Sequence, residues 1–278
     1  MVEITNEDEL KAWLDSKGRD VAVAIGTRAA LRVLPLIADY VHELPAERAA
    51  TLVLPIFRGA ALPWLAAPWP SQRGKFLSSA NVTARDLSRA SGVARSAISS
   101  RNAARLACRT ADAVQQAVLT ARHADSGLRA VTATVHAAEA TPVYTGNDAS
   151  RRYTGKAGER AYLSGTLWAE ITADANASEK GDSSDSVMRR QLWTGGTPEL
   201  IARKWTLLKS DLLALNEDWQ VWTGWYEDCL RGSDHPDSHP LIEELEFKRV
   251  LIPDDDWKLG PKHVNAMIAE LEAEYRAK

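Results

Sequence analysis

Apolar and aromatic residues recur near the C-terminal end of the chain at alternating steps of three and four positions. These residues, which we call the aromatic stripe, are Trp205, Leu208, Leu212, Leu215, Trp219, Trp222 and Tyr226. Such steps place side chains on one face of an α-helix, so the pattern predicts one long helix from about Pro198 to Leu230. Because three of the ten Trp residues lie on the stripe, we expect Trp205, Trp219, Trp222 and Tyr226 to be buried between helices.

Helical spacing of apolar residues continues through most of the remaining chain. A predicted helix over residues 20–42 carries Pro35, which removes a backbone donor and should kink the helix, and a helix over 46–62 carries Pro55 in a similar place. Further helices are predicted at the N-terminus, within 83–140, over 159–175, over 241–247 and from residue 261. Since no segment shows the alternation typical of a β-strand, we predict an all-α fold, a multi-helix bundle with essentially no sheet.

Stretches rich in proline and glycine divide the chain into three expected regions. These are an N-terminal helical lobe over 1–75, Ala- and Arg-rich helices over 76–145, and a C-terminal lobe over 159–278 that holds the aromatic stripe. A length of 278 residues also suits one continuous domain.

Residues 29–35 and 49–55 have similar sequences. The similarity can be interpreted as a duplicated unit or as two similar buried helices. We favour the second interpretation because two copies are too few to establish a period.

Composition favours an ordinary soluble protein of a reducing compartment. The hydrophobic content of 45% and the charged content of 26% are normal for globular proteins. The only two cysteines, Cys108 and Cys229, exclude a disulfide framework. Residues 1–9 lack the basic start and apolar run of a signal peptide, and the apolar run 49–57, which is broken by Thr51 and contains Pro55, is shorter than a membrane span. We therefore expect a cytoplasmic protein without a membrane partner.

Residues 84–101 resemble the helix-turn-helix of bacterial repressors. Gly92 falls at the turn, and Ile98 would pack the second helix, but Ser88 stands where the motif has a small apolar residue. The candidate DNA-binding residues are Arg95, Ser96, Ser99, Arg101, Arg105 and Arg109. An Ala-rich structural helix with a solvated Arg face explains the same pattern, and the net charge of −3 gives no general attraction to nucleic acid. DNA binding is therefore the alternative rather than the favoured function.

Signatures of catalysis, metal binding and cofactor binding are weak. The sequence has no Gly-rich phosphate loop, two-His zinc helix or nucleophile elbow. His235 and His239 have zinc spacing, but neighbouring prolines indicate a loop without a third ligand. Asp254–Asp256 suits a turn and helix start better than a cation site, and Cys108 suits a buried structural thiol better than a reactive one. We predict no catalytic, metal or cofactor residue and no cofactor, with an enzyme of unrecognised type as the third alternative.

Several stretches resemble an uncharacterised group of bacterial all-helical proteins. The matching residues are the segment 28–35 (RAALRVLP), then Trp222, Trp225, Tyr226, Leu230, Gly232, Ile252, Pro253, Trp257, Gly260, Pro261, Val264 and Asn265. The middle of that group is Ala-rich helix without a repressor-like motif, which implies a structural role for residues 83–130. The resemblance implies no activity. We expect a non-enzymatic interaction or scaffold protein of the bacterial cytoplasm that recruits a protein partner through a helical surface.

Overall fold

The computed structural model describes residues 1–66, 76–96, 101–122, 126–140, 154–232, 235 and 243–277. Over these residues the chain forms helices and no strand, which confirms the predicted all-α fold. The α-helices in chain order are α1 (Glu7–Leu14), α2 (Arg19–Val33), α3 (Ala38–His42), α4 (Ala46–Ala66), α5 (Leu77–Ser96), α6 (Arg101–Arg122), α7 (Ser126–Ala140), α8 (Thr154–Glu179), α9 (Ser184–Arg189), α10 (Glu199–Ala214), α11 (Gln220–Arg231), α12 (Glu243–Val250), α13 (Asp254–Trp257) and α14 (Pro261–Arg276).

Helix α2 lies at the centre of the fold. It packs against α4, α6, α7, α8 and α9, and from Ala22 to Val33 every residue is buried. A helix that is apolar on all sides requires such surroundings. The predicted helix over residues 20–42 is interrupted near Pro35, because α2 ends at Val33 and a 3-10 turn, Leu34–Ile37, follows. Pro55, by contrast, lies inside the continuous helix α4. The two segments that resemble each other therefore differ in backbone, which favours two similar helices over a duplicated unit.

The aromatic stripe divides between two helices, so the expected single long helix is wrong. Helix α10 ends at Ala214 and α11 begins at Gln220. Between them Asn216 and Asp218 both adopt the left-handed region, each with φ near 54°. Asn and Asp are the side chains that tolerate this conformation best, and two such residues close together end the helix. Periodicity predicted the buried face here, but it did not reveal the break.

One hydrophobic core extends through the described regions. It contains residues from all three expected regions, for example Leu31, Val114 and Trp222. The expected boundaries, at residues 75–76 and 145–159, fall partly outside the described residues, which omit 67–75 and 141–153.

The stretch Arg19–His42 is long and apolar enough to cross a membrane. In the fold, however, 94% of its most apolar window is buried within the protein. It also carries Arg28 and Arg32, whose side chains are fully buried. A core helix surrounded by other helices has the same apolar composition as a membrane span.

Candidate functional site

The helix-turn-helix segment does not have its expected turn. Helix α5 runs without interruption through Gly92 to Ser96, and α6 begins at Arg101. Arg95 and Ser96 occupy the last turn of α5, whereas Ser99 lies outside the described residues. A helix-turn-helix needs a tight turn in front of its recognition helix, and Gly92 lies inside a helix instead.

Two further candidate DNA-binding residues lie on α6. Arg105 is exposed and Arg109 is half-buried. The Nη1 atom of Arg109 lies 3.1 Å from Oε2 of Glu139 and 3.2 Å from Nδ1 of His136. Both partners belong to α7, so Arg109 links two neighbouring helices within the fold.

Both cysteines are buried thiols. The Sγ atom of Cys108 lies 3.1 Å from Oγ of Ser91 and 3.5 Å from Oδ2 of Asp112, which places it in the α5–α6 interface. Burial, and then the nearby carboxylate of Glu246, raise the pKa of Cys229 well above its ordinary value. A thiol with a raised pKa is a poor nucleophile, which argues against thiol chemistry at Cys229.

The three consecutive aspartates begin α13, as a turn and helix start would require. Asp254 pairs with Arg58 at 2.5 Å, Asp255 with Lys258 at 2.6 Å, and Asp256 with His263 at 3.0 Å. Across the described residues, no group of three or more His, Cys, Asp or Glu side chains has the arrangement of a metal site. His239 lies outside the described residues.

Among the buried charged side chains of the described residues, four form one connected group, which we call the charged core. Arg28 and Arg32 are four positions apart on α2, and Glu170 and Asp174 are four positions apart on α8. This spacing puts each pair on one helical face, and the two faces meet. The side chains of Arg28, Arg32 and Asp174 are 0% exposed. Two guanidinium groups and two carboxylates balance in formal charge, as buried ions must.

Asp174 binds both arginines. Nε of Arg28 donates to Oδ2 of Asp174 at 2.9 Å, and Nη1 of Arg32 lies 2.8 Å from the same oxygen. Burial by itself would raise the pKa of Asp174, but the charges of Arg28 and Arg32 and their hydrogen bonds lower it below its ordinary value. The carboxylate is therefore ionised inside the protein at neutral pH.

Three donor nitrogens of the two arginines hold one loop by its backbone. Arg28 donates through Nη1 to the carbonyl oxygens of Met188, at 3.3 Å, and Arg190, at 2.8 Å. Its Nη2 donates to the carbonyl of Gln191 at 2.8 Å. Nε of Arg32 donates to the carbonyl of Leu192 at 2.8 Å. Four carbonyls from the end of α9 onward therefore point into the protein.

Glu170 extends the charged core to the end of this loop. Its carboxylate accepts hydrogen bonds from the backbone nitrogen of Thr194, at 2.9 and 3.0 Å, and from the Thr194 hydroxyl at 3.0 Å. Nη2 of Arg32 lies 3.6 Å from Oε2 of Glu170. The charged core thus fixes the segment from Met188, at the end of α9, to Thr194. It binds four carbonyl oxygens of this segment and the backbone N–H of Thr194.

The same loop forms one wall of a cleft at the surface, which we call the cationic cleft. Its volume is about 290 Å³, and it is lined by Arg189, Arg190, Gln191, Thr194, Arg231, Gly232 and His235. The opposite wall is the C-terminal end of α11. Among these lining residues three are arginines and none is a carboxylate, so the cleft offers hydrogen-bond donors to an anion.

Gly232 lets the two walls of the cleft approach each other. Its φ of +86° belongs to the region that glycine adopts without strain. A Cβ atom at this position would lie 2.6 Å from the backbone nitrogen of Gln191 and 2.9 Å from the carbonyl oxygen of Arg189. The backbone of Leu192 also donates to the carbonyl of Leu230 at 3.3 Å. Only glycine fits between α11 and the loop here.

A second buried cluster, the aromatic cluster, surrounds Trp222. Its rings are Phe57, Trp64, Trp219, Trp222, Trp225 and Trp257, with centroid separations of 5.6–6.5 Å between contacting pairs. Nε1 of Trp222 donates to Oδ1 of Asn265 at 2.9 Å, and Asn265 in turn donates to the carbonyl of Glu217 at 2.8 Å. The four stripe residues Trp205, Trp219, Trp222 and Tyr226 are all buried.

Several of the residues that carried the resemblance have packing roles in this fold. Tyr226 donates from its hydroxyl to the carbonyl of Leu31 at 3.0 Å, Trp222 binds Asn265, and Gly232 closes the cleft. Sequence reasoning named Arg28 and Arg32 only as part of that resemblance and missed Glu170, Asp174 and the cleft. The available signal was a pair of like charges four positions apart within an apolar helix, since a charge that cannot reach water needs a partner.

No family model matches this chain, and the searches of curated proteins and of solved structures gave no match either. Similarity to a known protein therefore assigns no function to the cationic cleft, and its chemistry must be inferred from its own geometry.

Proposed function

We propose that this chain is a non-enzymatic binding protein of the bacterial cytoplasm that takes an anionic group of a protein partner into the cationic cleft. The observation that carries the proposal is the convergence of Arg189, Arg190 and Arg231 on one cleft whose described lining holds no carboxylate. Arginine is enriched at protein interfaces, where its planar group binds carboxylates and phosphates through paired hydrogen bonds.

The size of the cleft supports a single group as the ligand. A volume of about 290 Å³ is at the lower end of the range of about 300–1,000 Å³ for small-molecule pockets. The cleft can accept one charged side chain or chain terminus of a partner. The remaining contact with the partner would lie on the surrounding helical surface, as expected for a scaffold protein.

The rigidity of the loop also supports a binding role. Arg28 and Arg32 hold the loop by four carbonyls, and Glu170 holds Thr194. A buried ionic network contributes little net stability compared with apolar packing. Its benefit is a fixed loop geometry, and a preorganised site loses less conformational entropy when it binds a ligand.

DNA binding through residues 84–105, the alternative expected from the sequence, has no observation in its favour and is not proposed. The helix that continues through Gly92 lacks the turn on which that motif depends. A membrane partner is not proposed, and a cytoplasmic location is supported by two buried thiols in place of disulfides.

Peptide binding measured by fluorescence anisotropy tests the proposed function. A labelled Glu-rich peptide and its Gln-substituted counterpart are titrated with the full chain at increasing salt. We expect the Glu-rich peptide to bind more tightly and to lose affinity as salt rises, because exposed charges are screened. The double variant Arg190→Gln/Arg231→Gln should weaken binding by about tenfold or more, since hydrogen bonds to charged groups contribute about 1.5–3 kcal/mol each.

Arg276→Gln provides the matched control, because Arg276 is exposed on α14 and pairs with Glu272, away from the cleft lining. Equal binding of the two peptides, or equal loss in the control and the double variant, would refute an anion site at the cleft.

A further inference from the structure

The three arginines of the cleft already have carboxylate neighbours. Nε of Arg189 lies 2.6 Å from Oδ1 of Asp185, and Nη2 of Arg231 lies 2.7 Å from Oδ1 of Asp228. These aspartates are not part of the described cleft lining; they hold the guanidinium groups from outside it. A ligand carboxylate carries the same single charge as each aspartate, so it would gain little by competing with them.

Arg190 has the weakest of these internal pairs. Its Nη1 atom lies 3.7 Å from Oδ2 of Asp182, which is beyond hydrogen-bond distance. A guanidinium carries five N–H donors in a planar fork, and the pairs of Arg190 with Asp182 and of Arg231 with Asp228 use only part of that fork. A ligand with several oxygens would bind the donors that remain.

The charged core removes acceptors from the same cleft. The carbonyls of Arg190 and Gln191 both accept hydrogen bonds from Arg28, in the interior. Their negative ends therefore point away from the cleft that these two residues line. A loop whose carbonyls face inward repels an anion less than one whose carbonyls face the ligand. The lining that remains is rich in donors on both walls.

We infer that the anionic group bound at the cationic cleft is a phosphate monoester, carried by a phosphorylated side chain of the protein partner. This inference rests on the proposed function and names the chemistry of its ligand. A phosphate monoester has a charge of about −1.5 to −2 at pH 7 and three strong acceptor oxygens. It exceeds the charge of each neighbouring aspartate, and its oxygens can bridge arginines from both walls. Clusters of arginine are a recurrent means of recognising phosphorylated segments.

A set of three matched peptides tests this inference. The peptides share one sequence and differ at one central residue, which is Ser, phosphoserine or Glu. Anisotropy titrations with the full chain should give affinity for the phosphopeptide about tenfold or more above that for the Glu peptide, because of the added charge and oxygens. The Ser peptide should bind most weakly.

Variants then place the binding in the cleft. Arg190→Gln/Arg231→Gln should remove the preference for phosphoserine, whereas Arg276→Gln should keep it. The double variant Arg190→Lys/Arg231→Lys should bind the phosphopeptide more tightly than Arg190→Gln/Arg231→Gln but less tightly than the wild-type chain. Lysine keeps the positive charge but lacks the planar fork of arginine. Circular dichroism tests whether each variant is folded. If a variant is not folded, Arg189→Gln is used in its place.

Several outcomes would overturn the inference. If the Glu peptide binds as tightly as the phosphopeptide, the phosphate assignment fails while the proposed function stands. If neither anionic peptide binds, both fail. If inorganic phosphate binds as tightly as the phosphopeptide, the ligand is a free anion and not a partner's side chain. Tighter binding of duplex DNA than of the phosphopeptide, lost in the same double variant, would assign the cleft to nucleic acid.

Discussion

The aromatic cluster around Trp222 and the charged core around Asp174 are both buried, but they fix their neighbours to very different degrees. In the aromatic cluster, rings whose centroids lie 5.6–6.5 Å apart adopt stacked, tilted and edge-on arrangements. Its directional contacts are single hydrogen bonds from the indole nitrogens of Trp222 to Asn265, of Trp257 to Ile252 and of Trp219 to Glu217. In the charged core, Arg28 and Arg32 each bind Asp174 and also hold backbone carbonyls at defined distances.

The physics of burial explains the difference. Removing apolar surface from water stabilises a fold by about 25 cal/mol per Å², without requiring a particular orientation. Burying an ion costs several kcal/mol, which is recovered only through well-oriented partners. The aromatic cluster therefore supplies stability, while the charged core supplies geometry. That geometry is used at the loop from Met188 to Thr194, which forms a wall of the cationic cleft.

The largest expected effect is in the aromatic cluster. Trp219→Ala should lower the free energy of unfolding by roughly 3–5 kcal/mol, because it empties a large, fully buried site. Urea denaturation followed by circular dichroism measures this change. Leu213→Ala is the control, since Leu213 is exposed and should shift stability by less than about 0.5 kcal/mol. A loss below about 1 kcal/mol for Trp219→Ala would show that the cluster is not the source of stability.

The next effect is in the charged core. Asp174→Asn leaves two buried guanidinium groups with only one carboxylate, that of Glu170, so we expect a loss of about 3 kcal/mol in the free energy of unfolding. Asp185→Asn, which disturbs a half-exposed pair with Arg189, should cost less than about 1 kcal/mol. The same denaturation measurement applies. Similar losses for the two variants would show that burial adds nothing to the Asp174 interaction.

Acid should weaken the charged core in the same way. The pKa of Asp174 is lowered in the folded state from its ordinary value of 3.8, so this group stabilises the fold above about pH 4. That contribution is lost as pH falls through the folded pKa. Thermal melts from neutral to acidic pH should therefore decline more steeply for the wild-type chain than for Asp174→Asn. Parallel curves would contradict an ionised Asp174 in the folded protein.

A smaller effect separates one hydrogen bond of the aromatic cluster from the packing of its rings. Trp222→Phe removes the donor to Asn265, which is fully buried, and should cost roughly 1–3 kcal/mol for the unsatisfied acceptor. Trp193→Phe is the matched control, because Trp193 is equally buried and its Nε1 has no hydrogen-bond partner among the described residues. Equal costs for the two substitutions would remove any special role for the Trp222–Asn265 hydrogen bond.

The smallest expected effect concerns a third region, the Arg-rich face of α6. The full chain should not shift duplex DNA at physiological salt in an electrophoretic assay, and Arg105→Ala should leave that result unchanged. The continuous helix through Gly92 and the net charge of −3 both support this expectation. A sequence-selective shift that weakens in Arg95→Ala would place the function in neither the aromatic cluster nor the charged core.

Periodicity predicted the buried elements of this chain better than their ends. The three- and four-residue steps identified the buried faces of α10 and α11, and Pro35 marked the end of α2. The break between α10 and α11 was missed because a helical pattern of apolar residues continues through Asn216 and Asp218. The candidate site was missed for a different reason. Its arginines come from α9, the following loop and α11, which no spacing rule connects.

The sequence by itself determined that this protein is helical, which faces of its helices are apolar, and that Arg28 and Arg32 share one side of an apolar helix. Those properties depend on local spacing and on the conformational preferences of single residues. The tertiary structure decided that α8 brings Glu170 and Asp174 to the two arginines. It also decided that the loop after α9 meets the end of α11 at Gly232 to form a cleft. Both contacts join residues far apart in the chain, and they depend on how all the helices pack together.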